Sequence, residues 1–226
     1  MNNRPERSAS TIKAFGLAVV ASLALSALVA ASASALSFAP EKDQFTAQGG
    51  AITITDSGST YGCAGSSTGS TPGIFSTGTS GSVTLTLKGC TLSGGIACTG
   101  PGQAAGTIVT SNLSIKPVYL DAAKTRYGLL LSPPAGKAFA AFTCWGVPVT
   151  WTGSLIGEIT SPALNVSSKT FVLSFAASAQ GVQRDQQIEG AGTSYHLSQT
   201  MGGSTREMAI ATQETLTFEK EGKFIP

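Results

Sequence analysis

Gly65-Ser66-Ser67-Thr68-Gly69 matches the G-x-S-x-G pattern in which a serine, lifted on a sharp turn, serves as a nucleophile. The single histidine, His196, preceded by Asp185 or Glu189, would complete a hydrolase triad in an acceptable chain order. That elbow requires a buried strand before the serine and a helix after it. Here the flanks are YGCA and STPG, within a run of Ser, Thr and Gly. We therefore read the match as compositional and assign Ser67 and His196 no catalytic role. One histidine cannot make a multi-histidine metal site, so we expect neither a metal nor a cofactor. The carboxylates Asp43, Asp56, Asp121, Glu158, Asp185 and Glu189 are scattered, whereas a glycosidase needs two facing each other across a cleft. Glu158 stands in the apolar segment LIGEIT. Burial there would raise its pKa, although an outward position on a strand is the simpler expectation.

The aromatic residues offer a binding reading. Trp145 and Trp151 are the only tryptophans and lie on neighbouring segments, with Tyr195 as a third candidate. Exposed aromatic faces stack on sugars or anchor a protein partner. The competing expectation is that both indoles fill the core beside Cys144, and the solvent exposure of the two rings discriminates.

The four cysteines, Cys63, Cys90, Cys98 and Cys144, allow three pairings. Cys90 and Cys98 flank Gly94-Gly95, which invites a bridge across a tight loop. We expect Cys90–Cys98 and, with it, Cys63–Cys144. Their spacing is not that of paired zinc ligands, and oxidation suits an exported chain. Residues 1–35 supply that context. Arg4, Arg7 and Lys13 form a basic start, Ala14 to Ala30 is uncharged and apolar, and Ala33-Ser34-Ala35 has the small residues of a cleavage site. We expect a signal helix removed before Leu36 and a secreted chain with no membrane segment after cleavage.

Removal of that segment changes the charge. The whole chain has 14 basic and 12 acidic residues. Without Arg4, Arg7, Lys13 and Glu6, eleven of each remain. Near-neutrality without a Lys/Arg cluster argues against nucleic acid as a partner. Residues 36–226 suit a single domain able to bury its own core. Polar faces built from Ser and Thr rather than ions favour strands.

Period-two alternation sets the elements. In SVTLTLKGC, Val83, Leu85 and Leu87 share one face. Further strands are expected at 51–55, 106–120, 127–131, 137–145, 147–159, 169–175, 195–197, 206–212 and 215–218, with Pro117 and Pro148 marking edges or bulges. Leu85, Leu87, Ile115, Leu130, Phe171 and Leu173 should point inward. Residues 56–82 lack periodicity and read as a long Ser/Thr/Gly-rich excursion. The expectation is an all-β, antiparallel sandwich or barrel-like domain of roughly ten short strands.

The succession VTLTLKGC, TLSGGIAC, GTIVTSNL, YLD with GLLLSP, FTCWG and GSLIGEIT resembles a group of secreted, Thr/Gly-rich actinobacterial proteins. The likeness is best over about 80–160. It implies a single disulfide-containing domain and carries no activity with it. The functional expectation is a non-enzymatic extracellular β domain in surface interaction, adhesion or structure, with a glycan or an extracellular protein as partner. A lectin-like carbohydrate-binding module is the first alternative and a small secreted hydrolase the second.

Overall fold

The computed structural model describes residues 35–56, 60–178 and 180–226. The expected signal helix within 1–35 therefore lies outside the described residues, except for Ala35 at its edge. Among the described residues there is no helix, and nineteen strands stand where roughly ten were expected. The excess has several sources: Ser37–Ala39, Asp43–Gly49, Thr91–Leu92 and Ile96–Thr99 fall outside the expected segments, and 106–120 divides into Ile108–Val109 and Leu113–Tyr119. The 147–159 segment is two strands, Val147–Gly153 and Leu155–Ser161, divided at Ser154. The supposed excursion 56–82 is also sheet, contributing Thr60–Cys63, Gly65–Ser67, Gly73–Thr77 and Ser80–Val83. Its side chains are too small to show an apolar alternation, yet they meet the needs of a ladder through the backbone.

The ladders are antiparallel and close on themselves twice. One ring runs through Asp43–Gly49, Gly73–Thr77, Ser80–Val83, Leu113–Tyr119, Tyr127–Ser132, Leu155–Ser161 and Ser168–Phe175. The later half of Ser204–Ile225 then returns it to Asp43–Gly49. The other runs through Ile52–Asp56, Thr60–Cys63, Thr91–Leu92, Ile96–Thr99, Ala140–Cys144, Val147–Gly153 and Leu197–Met201. The first half of Ser204–Ile225 closes it. The two eight-stranded barrels thus share one 22-residue strand and stack end to end. Closure leaves no long unpaired edge, and eight strands make an interior that side chains can fill.

The first barrel is filled by phenylalanine. Phe38, Phe45, Phe75, Phe171, Phe218 and Phe224 are all buried, with centroids such as Phe38–Phe218 at 4.5 Å and Phe171–Phe224 at 5.3 Å. Phe38 enters from the short strand Ser37–Ala39, which pairs with Lys223–Ile225. Of the expected inward residues, Leu87, Ile115, Phe171 and Leu173 are buried and Leu85 is partly so. Leu130 is not: Tyr127, Leu129 and Leu131 point in. The unbroken apolar run GLLL gave no phase to the alternation, and the phase was taken one residue out. Pro117 and Pro148 both stand where one neighbouring ladder has ended, at Ile115 and Val149 respectively, so neither interrupts a bond.

The second barrel holds both disulfides, and their pairing corrects the expectation. The bridges are Cys63–Cys90 and Cys98–Cys144, not Cys90–Cys98 and Cys63–Cys144. Thr91–Leu92 and Ile96–Thr99 do form a hairpin through Gly94-Gly95. Each of its strands is bridged outward instead. Tyr61↔Leu92 and Gly62↔Thr91 bring Cys63 beside Cys90, and Cys98 lies directly opposite Cys144. The hairpin is stapled to its neighbours on both flanks.

Candidate functional site at the free end of the stapled barrel

Connections follow Asp56, Leu92, Cys144 and Met201, and the registers place these four residues at the end of the stapled barrel remote from the phenylalanine barrel. The first, 57–59, lies outside the described residues. The third is the two-residue turn Trp145-Gly146, closed by Cys144↔Val147. Both of its residues have positive φ, 53° and 77°, as the favoured hairpin turn requires. Asn or Gly meets that demand without strain, whereas a bulky tryptophan does not. Trp145 nevertheless sits there, 82% exposed, and Cys98–Cys144 fixes its base.

Trp151 lies six residues along the same hairpin and has the opposite fate. It is fully buried, and its indole meets Phe142 edge to face at 5.0 Å. Its indole N–H donates to Tyr61 Oη at 3.0 Å and to Gln199 Oε1 at 3.1 Å. Tyr61 O–H also donates to Gln199 Oε1. With its oxygen so engaged, Gln199 presents its nitrogen to Asp56, Nε2 donating to Oδ2 at 3.0 Å. Burial pushes the Tyr61 phenol well above its ordinary pKa, which keeps it a donor. The chain Trp151–Tyr61–Gln199–Asp56 carries fixed polarity from the barrel axis to the free end.

Beyond Asp56 the barrel opens into a well of about 200 Å3 lined by Asp56, Gln199, Met201, Ser204 and Arg206. Asp56 and Gln199 are buried, while Arg206 is half exposed. Arg206 Nη1 stands 4.0 Å from Asp56 Oδ1, farther than a hydrogen bond reaches. Ser204 and Arg206 share the inward phase of Met208 and Ile210.

The remaining candidates fall elsewhere. The tryptophans and Tyr195 form no shared platform: the ring contacts of Trp151 are to Tyr61 and Phe142. Tyr195 is half-buried, with its backbone N–H on Gln186 O at 2.8 Å. Ser67 lies on Gly65–Ser67 and its Oγ accepts from Gly69 N–H at 3.3 Å. His196 is exposed, and among the described residues no hydrogen bond joins the two. Glu158 is held below the usual carboxylate range, not above it, chiefly by its hydrogen bond from Arg126. Arg126 Nε and Nη2 grip its two oxygens at 2.8 and 2.9 Å. Arg126 also reaches Asp185 at 2.6 Å, and Arg184 reaches Glu158 at 2.8 Å. The apolar flanks of Glu158 concealed two arginines brought by other segments.

Sequence reasoning missed Gln199, Arg206 and Tyr61, and named Asp56 only as one scattered acid. A signal existed. Ile52-Ile54-Asp56, Leu197-Gln199-Met201 and Arg206-Met208-Ile210 each put a polar residue on the apolar phase of a strand, next to a turn. Polar residues at inward positions violate the pattern a core demands. No protein-family model, curated protein or solved structure matches the chain.

Proposed function

We propose that this protein is a secreted, non-enzymatic recognition domain that engages an extracellular partner through the free end of its stapled barrel. One observation carries the reading: Trp145 is the most exposed large apolar side chain described, at 82%, and occupies a backbone conformation that disfavours it. A residue kept where it harms its own turn and packs against little is explained by contact with something outside the chain. Tryptophan is among the residues that dominate binding interfaces.

Export is supported by the basic, apolar and small-residue succession of 1–35 and by two disulfides, which persist in oxidising surroundings. The non-enzymatic reading rests on how the reactive groups are engaged. Glu158 and Asp185 share two arginines, and the hydrogen bond from Arg126 holds Glu158 below the usual carboxylate range.

Fluorescently labelled protein of residues 36–226, added to washed cells of the producing organism, tests the reading. Association should fall at least about tenfold in Trp145→Ala with an unchanged circular dichroism spectrum. Equal association of the variant would refute it.

A further inference from the structure

We infer that the well lined by Asp56, Gln199, Met201, Ser204 and Arg206 is a saccharide site that takes one sugar ring through adjacent hydroxyls. This rests on the recognition reading above and names the ligand chemistry of the same barrel end.

The argument begins with donors and acceptors. Because Gln199 Oε1 is committed to Tyr61 and Trp151, the amide offers the well its N–H side, of which one hydrogen serves Asp56. Arg206 adds the donors of a guanidinium. Asp56 supplies a carboxylate acceptor, and the Ser204 hydroxyl can do either. A ligand group that only accepts would face Asp56, and one that only donates would face Arg206. A hydroxyl does both at once.

The spacing agrees. A hydroxyl bonded to a carboxylate oxygen and a guanidinium nitrogen at ordinary lengths holds them about 4.5 Å apart. Asp56 Oδ1 and Arg206 Nη1 are at 4.0 Å, so a half-ångström adjustment of the half-exposed arginine admits it. Neighbouring hydroxyls on one ring would then span from Asp56 and Arg206 to Gln199 and Ser204.

Size and rigidity point the same way. At about 200 Å3 the well is below the roughly 300–1,000 Å3 of pockets for larger organic ligands. Its floor is preorganised, since Gln199 is held by three partners in the barrel interior, and preorganisation lowers the cost of binding. Trp145 stands on the neighbouring hairpin: Val149 pairs with Met201, so the turn 145–146 and the turn 202–203 lie side by side. A sugar linked to the one in the well would leave the mouth past that indole, whose face suits stacking on a pyranose.

The test uses the isotope-labelled protein of residues 36–226, followed through the Trp151 indole N–H and the Gln199 side-chain amide. Glucose, galactose, mannose, arabinose and N-acetylglucosamine are the probes, with glycine and ethanolamine as charged competitors. At least one sugar should shift both signals saturably. Arg206→Gln and the near-isosteric Asp56→Asn should each weaken it at least about tenfold. Thr205→Ala, on the outward phase next door, should leave it unchanged. No response to any of the five sugars, binding undiminished in both variants, or a response only to glycine or ethanolamine would overturn the assignment. Loss of cell association in Trp145→Ala without sugar binding would remove this inference and leave the recognition reading. Sugar in the well with Trp145-independent association would do the reverse.

Discussion

The two barrels have the same number of strands and share one of them, yet they are held together by different means. The phenylalanine barrel stacks six rings and has no disulfide. The stapled barrel gives inward positions to Tyr61, Gln199, Asp56 and Arg206 and is bridged twice. Apolar burial stabilises without direction, whereas a hydrogen-bonded chain stabilises little but fixes geometry. A barrel whose interior must present defined polar groups at one end gives up apolar burial, and cross-links restore the stability. On this view the first barrel is the scaffold and the second the instrument.

The largest effect should come from the scaffold. Phe171→Ala removes a fully buried ring with three edge-to-face partners, Phe38, Phe218 and Phe224. It should cost about 3–5 kcal/mol in urea unfolding. A cost below about 1 kcal/mol would show that the rings are not the principal core.

Next come the staples. In the chain-entropy view, Cys63–Cys90 and Cys98–Cys144 contribute about 3.5 and 4 kcal/mol for separations of 27 and 46 residues. Replacing either pair by serine should lower stability by amounts of that order. Amide exchange should then accelerate in Val147–Gly153 before it does in Ser168–Phe175. Simultaneous loosening of both strands would erase the distinction between the barrels.

These elements also show what the sequence discloses. The phenylalanine barrel is legible because Phe171, Leu173 and Phe175 alternate in KTFVLSF, and one face of a strand is a local property. The disulfide pairing is not, because it depends on which strands become neighbours. Proximity along the chain favoured Cys90–Cys98, while register joined Cys98 to Cys144. The all-β class follows from composition and order of residues. The site escaped because it is assembled from single residues on three separated strands, each unremarkable until the phase of its strand is known. Trp145 and Trp151 could be named together but not told apart, since one residue of turn separates a core phase from a hairpin tip.

Between the barrels lies a third effect, set by pH. Glu214 occupies the shared strand where the two interiors meet, and it is buried. Ser66 O–H donates to its Oε1, Oε2 has no partner, and its surroundings include Ala47, Leu131, Leu173 and Phe175. Gly49 opposite leaves the space, since a methyl there would overlap both Ser66 and the carboxyl. Burial raises the Glu214 pKa above the ordinary 4.5. A raised acid contributes stability that is full below its unfolded pKa and lost as pH rises through the folded one. Glu214→Gln keeps the acceptor for Ser66 and removes the titration. It should therefore match or trail the parent near pH 4 and exceed it increasingly as pH rises above 4.5. Parallel stability curves for the two proteins would contradict the assignment.

The smallest effect bears most directly on the central claim, that the free end of the stapled barrel is kept for recognition at a cost to the fold. Trp145→Asn converts the turn to Asn-Gly, the pair suited to two positive φ angles. It removes a side chain that is 82% exposed. Urea unfolding of this variant should show a higher midpoint with an unchanged slope, a gain of about 1 kcal/mol. A midpoint equal to or below that of the parent would mean that Trp145 serves the hairpin itself, and the account would fail.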